Sequence, residues 1–243
     1  MSLDSIQGNK AFNDYEAFAE TYVSRTESNA YNAYYERPAM FSLLPEVRYK
    51  RVLDAGCAGG VYTEWLVNRG ADVVAIDISN KMIDLTKQRL QNRAQVYQAD
   101  LNQPLTFLRS NSFDIVLSSL TLHYIQDWES VFREFHRILS PKGLLQFSTH
   151  HPFMDFLLFE KENYFATELL EDSWEGYGGK PLRVRFYRRP LSAMTAALTK
   201  TGFTIEQIIE PHPTEECKRL YPEAYERLTT KPGFLIFRAY KQI

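Results

Sequence analysis

Three aspartates close three successive apolar runs: Asp54 ends "VLD", Asp77 ends "VVAID" and Asp100 ends "VYQAD". After the first comes a loop of small residues, Gly56-Cys57-Ala58-Gly59-Gly60, and then an amphipathic stretch from Val61. Strand, tight turn and helix make a cradle for a nucleotide. Small residues let a ligand approach the backbone, and open α/β sheets bind ligands beyond the carboxyl ends of their strands. A dinucleotide fits this cradle poorly. Its diphosphate asks for G-x-G-x-x-G spacing at the helix N-terminus, which this loop lacks. Asp54 would also oppose the diphosphate as a like charge, at a cost of several kcal/mol for an effective dielectric constant of ~20.

The acids ask instead for a ligand with a cation near Asp54 and a ribose near Asp77. Asp77 follows the glycine loop by about 20 residues, the spacing of a ribose-hydroxyl acceptor. S-adenosylmethionine meets both demands. Its ammonium reaches the glycine-loop region, its ribose diol reaches Asp77, and its adenine slots between Ile78 and the third strand, with Asp100 accepting from the exocyclic amine.

The histidines are His123, His136, His150, His151 and His212. His123 follows the fourth apolar run and His151 the fifth, on the side where a methyl acceptor would lie. A neutral imidazole there could orient or deprotonate a hydroxyl or amine. Pro152 biases His151 towards an extended backbone, so His151 rather than His150 is expected to enter the acceptor pocket. Neighbours on a strand point to opposite faces, so His150 and His151 are not expected to share a metal, and no metal site is expected. Arg183, Arg185, Arg188 and Arg189 read either as an anion grip or as a solvated strand face. Cys57 reads as a small loop filler rather than a reactive thiol.

These groups need a scaffold, and the sequence alternates accordingly. Strands are expected at Val52–Ala55, "ADVVAIDIS", "AQVYQAD", "FDIVLSSL" and "LLQFSTH". Between them lie helical patterns: Val61–Asn68 with Val61, Trp65 and Leu66 on one face, a helix capped by Ser79 burying Met82, Ile83, Thr86 and Leu90, and one capped by Asp127 burying Trp128, Val131, Phe132, Phe135 and Leu139. Such βαβ alternation means a doubly wound, Rossmann-like α/β fold: a mostly parallel sheet with helices on both faces and an antiparallel C-terminal edge strand. One domain is expected over 1–243. Residues 1–50 form a helical cap in which Tyr15, Phe18 and Tyr22 recur at helical spacing, and 51–152 form the ligand-binding core. Residues 153–182, with their "GYGG" turn, form a lid without a clean period, and 183–243 complete the sheet.

Composition excludes several classes. Against 28 Lys+Arg stand 30 Asp+Glu, a formal charge of -2, where a nucleic-acid binder carries a basic surplus. No apolar run approaches the ~20 residues of a membrane span. Two distant cysteines, Cys57 and Cys217, make no disulfide or zinc framework, and the N-terminus shows no leader pattern. A cytoplasmic protein with a small-molecule partner, no nucleic acid and no membrane is the expectation, with its oligomeric state open.

From about Tyr15 to Pro152 the chain resembles class I S-adenosylmethionine-dependent methyltransferases of the small-molecule, ubiquinone/menaquinone-type group. "VLDAGCAGG" resembles their first motif, "VVAIDIS" the second, "YQADL" the third and "FDIVLSSLTLHYIQDW" the fourth. Ala58 departs from the family's middle glycine, a departure that fits if its φ is negative. The resemblance implies that Asp54, Gly56, Cys57, Ala58 and Gly60 line the methionine end of S-adenosylmethionine and of its product S-adenosylhomocysteine. It places Asp77, Ile78 and Met82 at ribose and adenine, Asp100 and Leu101 at adenine, Ser118 near the sulfonium, and Tyr22 at the cofactor from the leading helix. The implied reaction is in-line methyl transfer to a small molecule, with His151 and His123 as candidate catalytic residues. The rivals are a non-catalytic S-adenosylmethionine-binding domain and an NAD-dependent dehydrogenase. The attacked atom stays open.

Overall fold

Strand β1 (Arg51–Ala55) lies between β2 (Asp72–Asp77) and β4 (Phe113–Ser118), parallel to both. Strand β3 (Gln95–Gln98) flanks β2, and β5 (Leu139–His150) flanks β4, again in parallel. Strand β9 (Phe234–Lys241) then runs antiparallel beside β5, and β8 (Phe203–Ile209) closes that edge antiparallel to β9. The order β3-β2-β1-β4-β5-β9-β8 puts the topological switch point between β1 and β4, where a ligand crevice opens. The computed structural model describes residue 16, residues 18–177 and residues 180–242. Tyr15 and the last two glycines of the "GYGG" turn lie outside the described residues.

Both sheet faces are apolar because alternate strand residues face opposite ways. Leu53, Val74, Val116, Leu145 and Phe147 bury one face against α5 (Trp128–Ile138) and α7 (Leu191–Lys200). Val52, Val73, Ile115, Leu117 and Leu144 bury the other against α2 (Arg37–Ser42) and α3 (Val61–Val67). Helix α4 (Asn80–Leu90) is capped by Ser79, which accepts from the Met82 amide, and buries Met82, Ile83, Thr86 and Leu90. Asp127 caps α5 in the same way through Ser130.

Two helical faces differ from expectation. In α3 the fully buried residues are Tyr62, Thr63 and Leu66. Trp65 instead stacks flat on Phe41 of α2, with ring centroids 4.2 Å apart. Leu139 opens β5 instead of ending α5, and Ile138 supplies the last buried helical position. Pro141, two residues on, cannot continue a helix.

The described residues of the segment expected to be an irregular lid form regular elements. Helix α6 (Pro152–Leu158) leads to a hairpin of β6 (Glu168–Tyr177) and β7 (Lys180–Arg188), which forms a separate two-stranded sheet. Residues 183–188, expected to help complete the main sheet, belong to this hairpin. The reason is the alternation of Leu182, Val184 and Phe186. Together with Leu170 they bury one hairpin face against Tyr22, Tyr124, Phe159 and Trp174. The N-terminal cap consists of α1 (Ala19–Ser28), a π-helical turn (Asn32–Glu36) and α2. Two short helices, α8 (Glu215–Leu220) and α9 (Pro222–Thr230), sit between β8 and β9.

Candidate active site

The glycine loop is pinned from two sides. Gly56 and Cys57 donate their backbone N–H to the Ile76 carbonyl at 2.8 and 2.9 Å. Gly56 adopts φ +86°, and a Cβ there would stand 2.2 Å from Thr121 Oγ1, so only glycine fits. Ala58 takes φ +46°, not the negative value expected of it. A left-handed non-glycine residue stores strain and persists where its surroundings fix it. The fixing contact is its N–H, which donates to Asp77 Oδ2 at 2.9 Å. Asp77 Oδ1 accepts from Ser79 N at 2.9 Å. A carboxylate offers about four lone-pair sites, so two backbone donors leave Asp77 room for a diol. Burial raises the Asp77 pKa, and the Ser79 and Ala58 amides work against that rise.

A crevice opens beside this loop. Tyr22, Gly56, Ala58, Asp77, Ile78 and Met82 line it, followed by Asp100 and Leu101. Four residues expected there stand elsewhere. Asp54 is 1% exposed and accepts from Thr63 Oγ1 at 2.5 Å. Burial pushes its pKa up to about 7, the Thr63 hydroxyl lowers it and nearby Asp77 adds to the rise. The acid thus shapes the loop from behind. Cys57 is buried, with a thiol pushed well above its ordinary pKa by burial and then by Asp77 and Asp54. Gly60 starts α3 at φ +78°, close against Thr86. Ser118 donates to the Ala55 carbonyl at 2.8 Å. Its expected place on the wall is filled by Ser119, Leu120 and Thr121.

Those wall residues, with Tyr124, Ile125, Asn102, Ile76 and Ala99, were not singled out from sequence. Neither was Glu36, which holds them. Glu36 is 1% exposed on the π-helical turn. It accepts from Tyr62 at 2.6 Å, Ser119 at 2.8 Å and Ser148 at 2.5 Å. Burial raises its pKa against the pull of these three hydroxyls. Ser148 in turn accepts from the Leu120 amide at 2.9 Å, and Leu120 has φ +45°. A strained residue at the centre of the site is therefore tied through Ser148 to a buried acid. The only sequence sign of this was one acid in an aromatic helical stretch.

A second cavity of about 400 Å³ adjoins the first and shares Tyr22, Leu120 and Tyr124 with it. His123 and His150 both line it, with their rings stacked at 4.0 Å. His150, and not the expected His151, lines this cavity. His151 points away from the cavity: its Nδ1 accepts from the Met154 amide at 3.4 Å, capping α6, and its Nε2 lies 2.9 Å from Glu210. Arg188 and Arg189 do not form an anion grip. Arg188 is fully buried and donates to the carbonyls of Asn163, Tyr164 and Ala166 and to Glu168. Arg189 donates to the Ile125 carbonyl at 2.6 Å and lies over Trp128. Arg183 is exposed and pairs with Glu171. Among the described residues, no cluster of His, Cys, Asp or Glu could hold a metal ion. No described helix is long and apolar enough to cross a membrane.

Residues 53–147 match the family model for a methyltransferase domain. An S-adenosylmethionine-dependent methyltransferase from Mesorhizobium loti has 30% sequence identity and a TM-score of 0.69, with coverage of 89% of this chain and 100% of that one. A structure from Listeria monocytogenes, assigned to the same class, has 25% identity and a TM-score of 0.75, covering 86% and 97%. The malonyl-[acyl-carrier protein] O-methyltransferase of Enterobacter lignolyticus is 37% identical over 46% of this chain, but the match spans only 43% of that protein.

Proposed function

Because the chain belongs to the class I S-adenosylmethionine-dependent methyltransferases, we propose that it passes the methyl group of this cofactor in line to a small molecule held in the second cavity. The observation that carries the reading is the shared wall of Tyr22, Leu120 and Tyr124, which joins a crevice at the switch point to a separate chamber. Asp77 would take the ribose diol. Ile78, Met82, Asp100 and Leu101 would take the adenine side, and Gly56, Ala58 and Tyr22 the methionine end. Asp54, Cys57 and Gly60 act on that end only through the loop backbone, and Ser118 only through Ala55.

When bound, the sulfonium supplies a methyl group with its own leaving group. The chain's task is to align the nucleophile with that methyl, and proximity and orientation can supply up to ~7–11 kcal/mol. The chamber lies within the ~300–1,000 Å³ range of small-molecule pockets, and the formal charge of -2 supports such an acceptor over a nucleic acid. Two free, buried cysteines support a reducing, cytoplasmic setting.

Calorimetry tests the reading. S-adenosylmethionine and S-adenosylhomocysteine should bind, and NAD should not. Binding in the reverse order would sink it, and a catalogue of small acceptors that never yields S-adenosylhomocysteine would favour a non-catalytic binding domain.

A further inference from the structure

Deepening the reading above and resting on it, the second cavity carries a reactive pair of its own. His150 ends β5 with one ring face stacked on His123, and the Phe186 ring meets it edge-on at 4.5 Å. Its Nδ1 lies 3.5 Å from Asp155 Oδ2, in the first turn of α6. Asp155 is buried and also lines the cavity. That leaves Nε2 as the nitrogen not facing the acid.

His123 backs the His150 ring and sets its surroundings. It is 2% exposed, lines the cavity, and neither of its ring nitrogens has a hydrogen-bond partner. Both nitrogens are sealed from contact, so the ring serves as packing for His150 rather than as a hydrogen-bonding group. Burial holds its pKa well below the ordinary value, helped by His150 and Arg189. It is therefore neutral near pH 7, with one donor and one acceptor.

The other walls decide what enters. Tyr124, Trp174, Phe186 and Phe234 make them aromatic, which suits a flat ring in offset or edge contact. The remaining charged groups of the lining are Asp172, Arg227 and Lys231. Asp172 accepts from the Trp174 indole at 2.9 Å, and Arg227 donates to Tyr31 at 2.8 Å. His150 with Asp155 is the acid–base pair among the described lining residues.

We propose that the acceptor is a planar hydroxyarene, that His150 is the general base for its hydroxyl, that Asp155 positions His150, and that His123 supports the His150 ring by stacking. The hydroxyl oxygen bonds to the methyl carbon while the carbon–sulfur bond breaks, its electron pair passing to sulfur. The hydroxyl proton goes to His150 Nε2. One positive charge thus leaves sulfur and one appears on the imidazolium, facing Asp155, until the proton is returned to water. The neutral His123 ring stacked alongside adds no like charge against it.

The probe is 4-nitrophenol, whose ionised form absorbs at a longer wavelength than its neutral form. It is titrated into the full chain with the cofactor crevice filled by S-adenosylhomocysteine. The wild-type protein should bind it and raise its ionised fraction above that of the free probe at the same pH. His150→Gln should lower the ratio of ionised to neutral bound probe at least tenfold, and Asp155→Asn should lower it less. Both variants should keep the S-adenosylhomocysteine affinity of the wild type, which shows that they are folded. With radiolabelled S-adenosylmethionine, His150→Gln should slow a single turnover by roughly 10²-fold or more, the usual worth of a general base. No binding of 4-nitrophenol to the wild type, or an ionised fraction unchanged in His150→Gln, overturns the proposal while leaving the methyltransferase reading intact. Failure of S-adenosylhomocysteine itself to bind overturns both.

Discussion

Two cavities meet at Tyr22, Leu120 and Tyr124, and they are built on different plans. The crevice beside β1 is held in shape by backbone hydrogen bonds. Its acid, Asp77, is fixed by two amide donors, and its loop is fixed by the Ile76 carbonyl. The chamber beyond it is built from side chains on separate parts of the chain: α1, the 3₁₀ turn Leu122–Tyr124, the end of β5, α6, the hairpin, and the approach to β9. Backbone fixes a ligand common to many sequences. Side chains drawn from distant segments can be exchanged one at a time, so under the proposed reading that is where one acceptor would be told from another.

The contrast can be tested by damaging each plan separately. The largest effect is expected in the hairpin. Arg188→Ala removes a buried guanidinium from three carbonyls and Glu168, a loss of about 3–5 kcal/mol for a broken buried charge network. Hydrogen exchange over residues 163–168 should accelerate strongly while calorimetric affinity for S-adenosylhomocysteine stays level. A parallel fall in that affinity would show that the two cavities are one structural unit. Next, Asp77→Ala should weaken cofactor binding by about 1.5–3 kcal/mol and leave exchange in the hairpin unchanged. A normal dissociation constant would move the ribose elsewhere.

The third effect is a slope, small at each step of pH. Asp54 keeps its proton up to about pH 7 in the folded chain, against an ordinary value of 3.8. Between those values the folded state binds more protons than the unfolded one, so this group makes stability fall as pH rises, by on the order of 1 kcal/mol per pH unit. Asp54→Asn should gain on the wild type from about pH 4 to pH 7 and run level above. Denaturant melts at a series of pH values would show it, and identical slopes would mean that Asp54 is ionised in the fold.

The same contrast explains what was legible in the sequence. Asp77, Asp100 and the glycine loop are contiguous with the strands that carry them, so apolar runs, small residues and spacing located the crevice. Ser79 and Asp127 announced their helices because caps are local chemistry. The histidine in the chamber was misread because strand alternation gives the two faces but not which one is the inner face. His151 was already engaged as the cap of α6, a helix hidden inside a stretch without a clean period. The hairpin differs from expectation for a related reason: its inward face is completed by Tyr22 and Tyr124, neither of them near it in sequence. Asp54 was read as a ligand contact because its position at a strand end is visible in the sequence, while the depth at which it lies is not.

Glu36 has a consequence for modularity. Its carboxylate reaches α3, the loop after β4, and β5 at once, although it comes from a segment that precedes the first strand. The part of the chain recognised as a methyltransferase domain, residues 53–147, is therefore not a detachable cassette. Excised, it would expose the hydroxyls of Tyr62 and Ser119 where a carboxylate had been, and it would lack Ser148, the anchor of Leu120. A chimera that grafts another N-terminal cap onto this core would have to deliver an acid to the same point, or redesign three hydroxyls together.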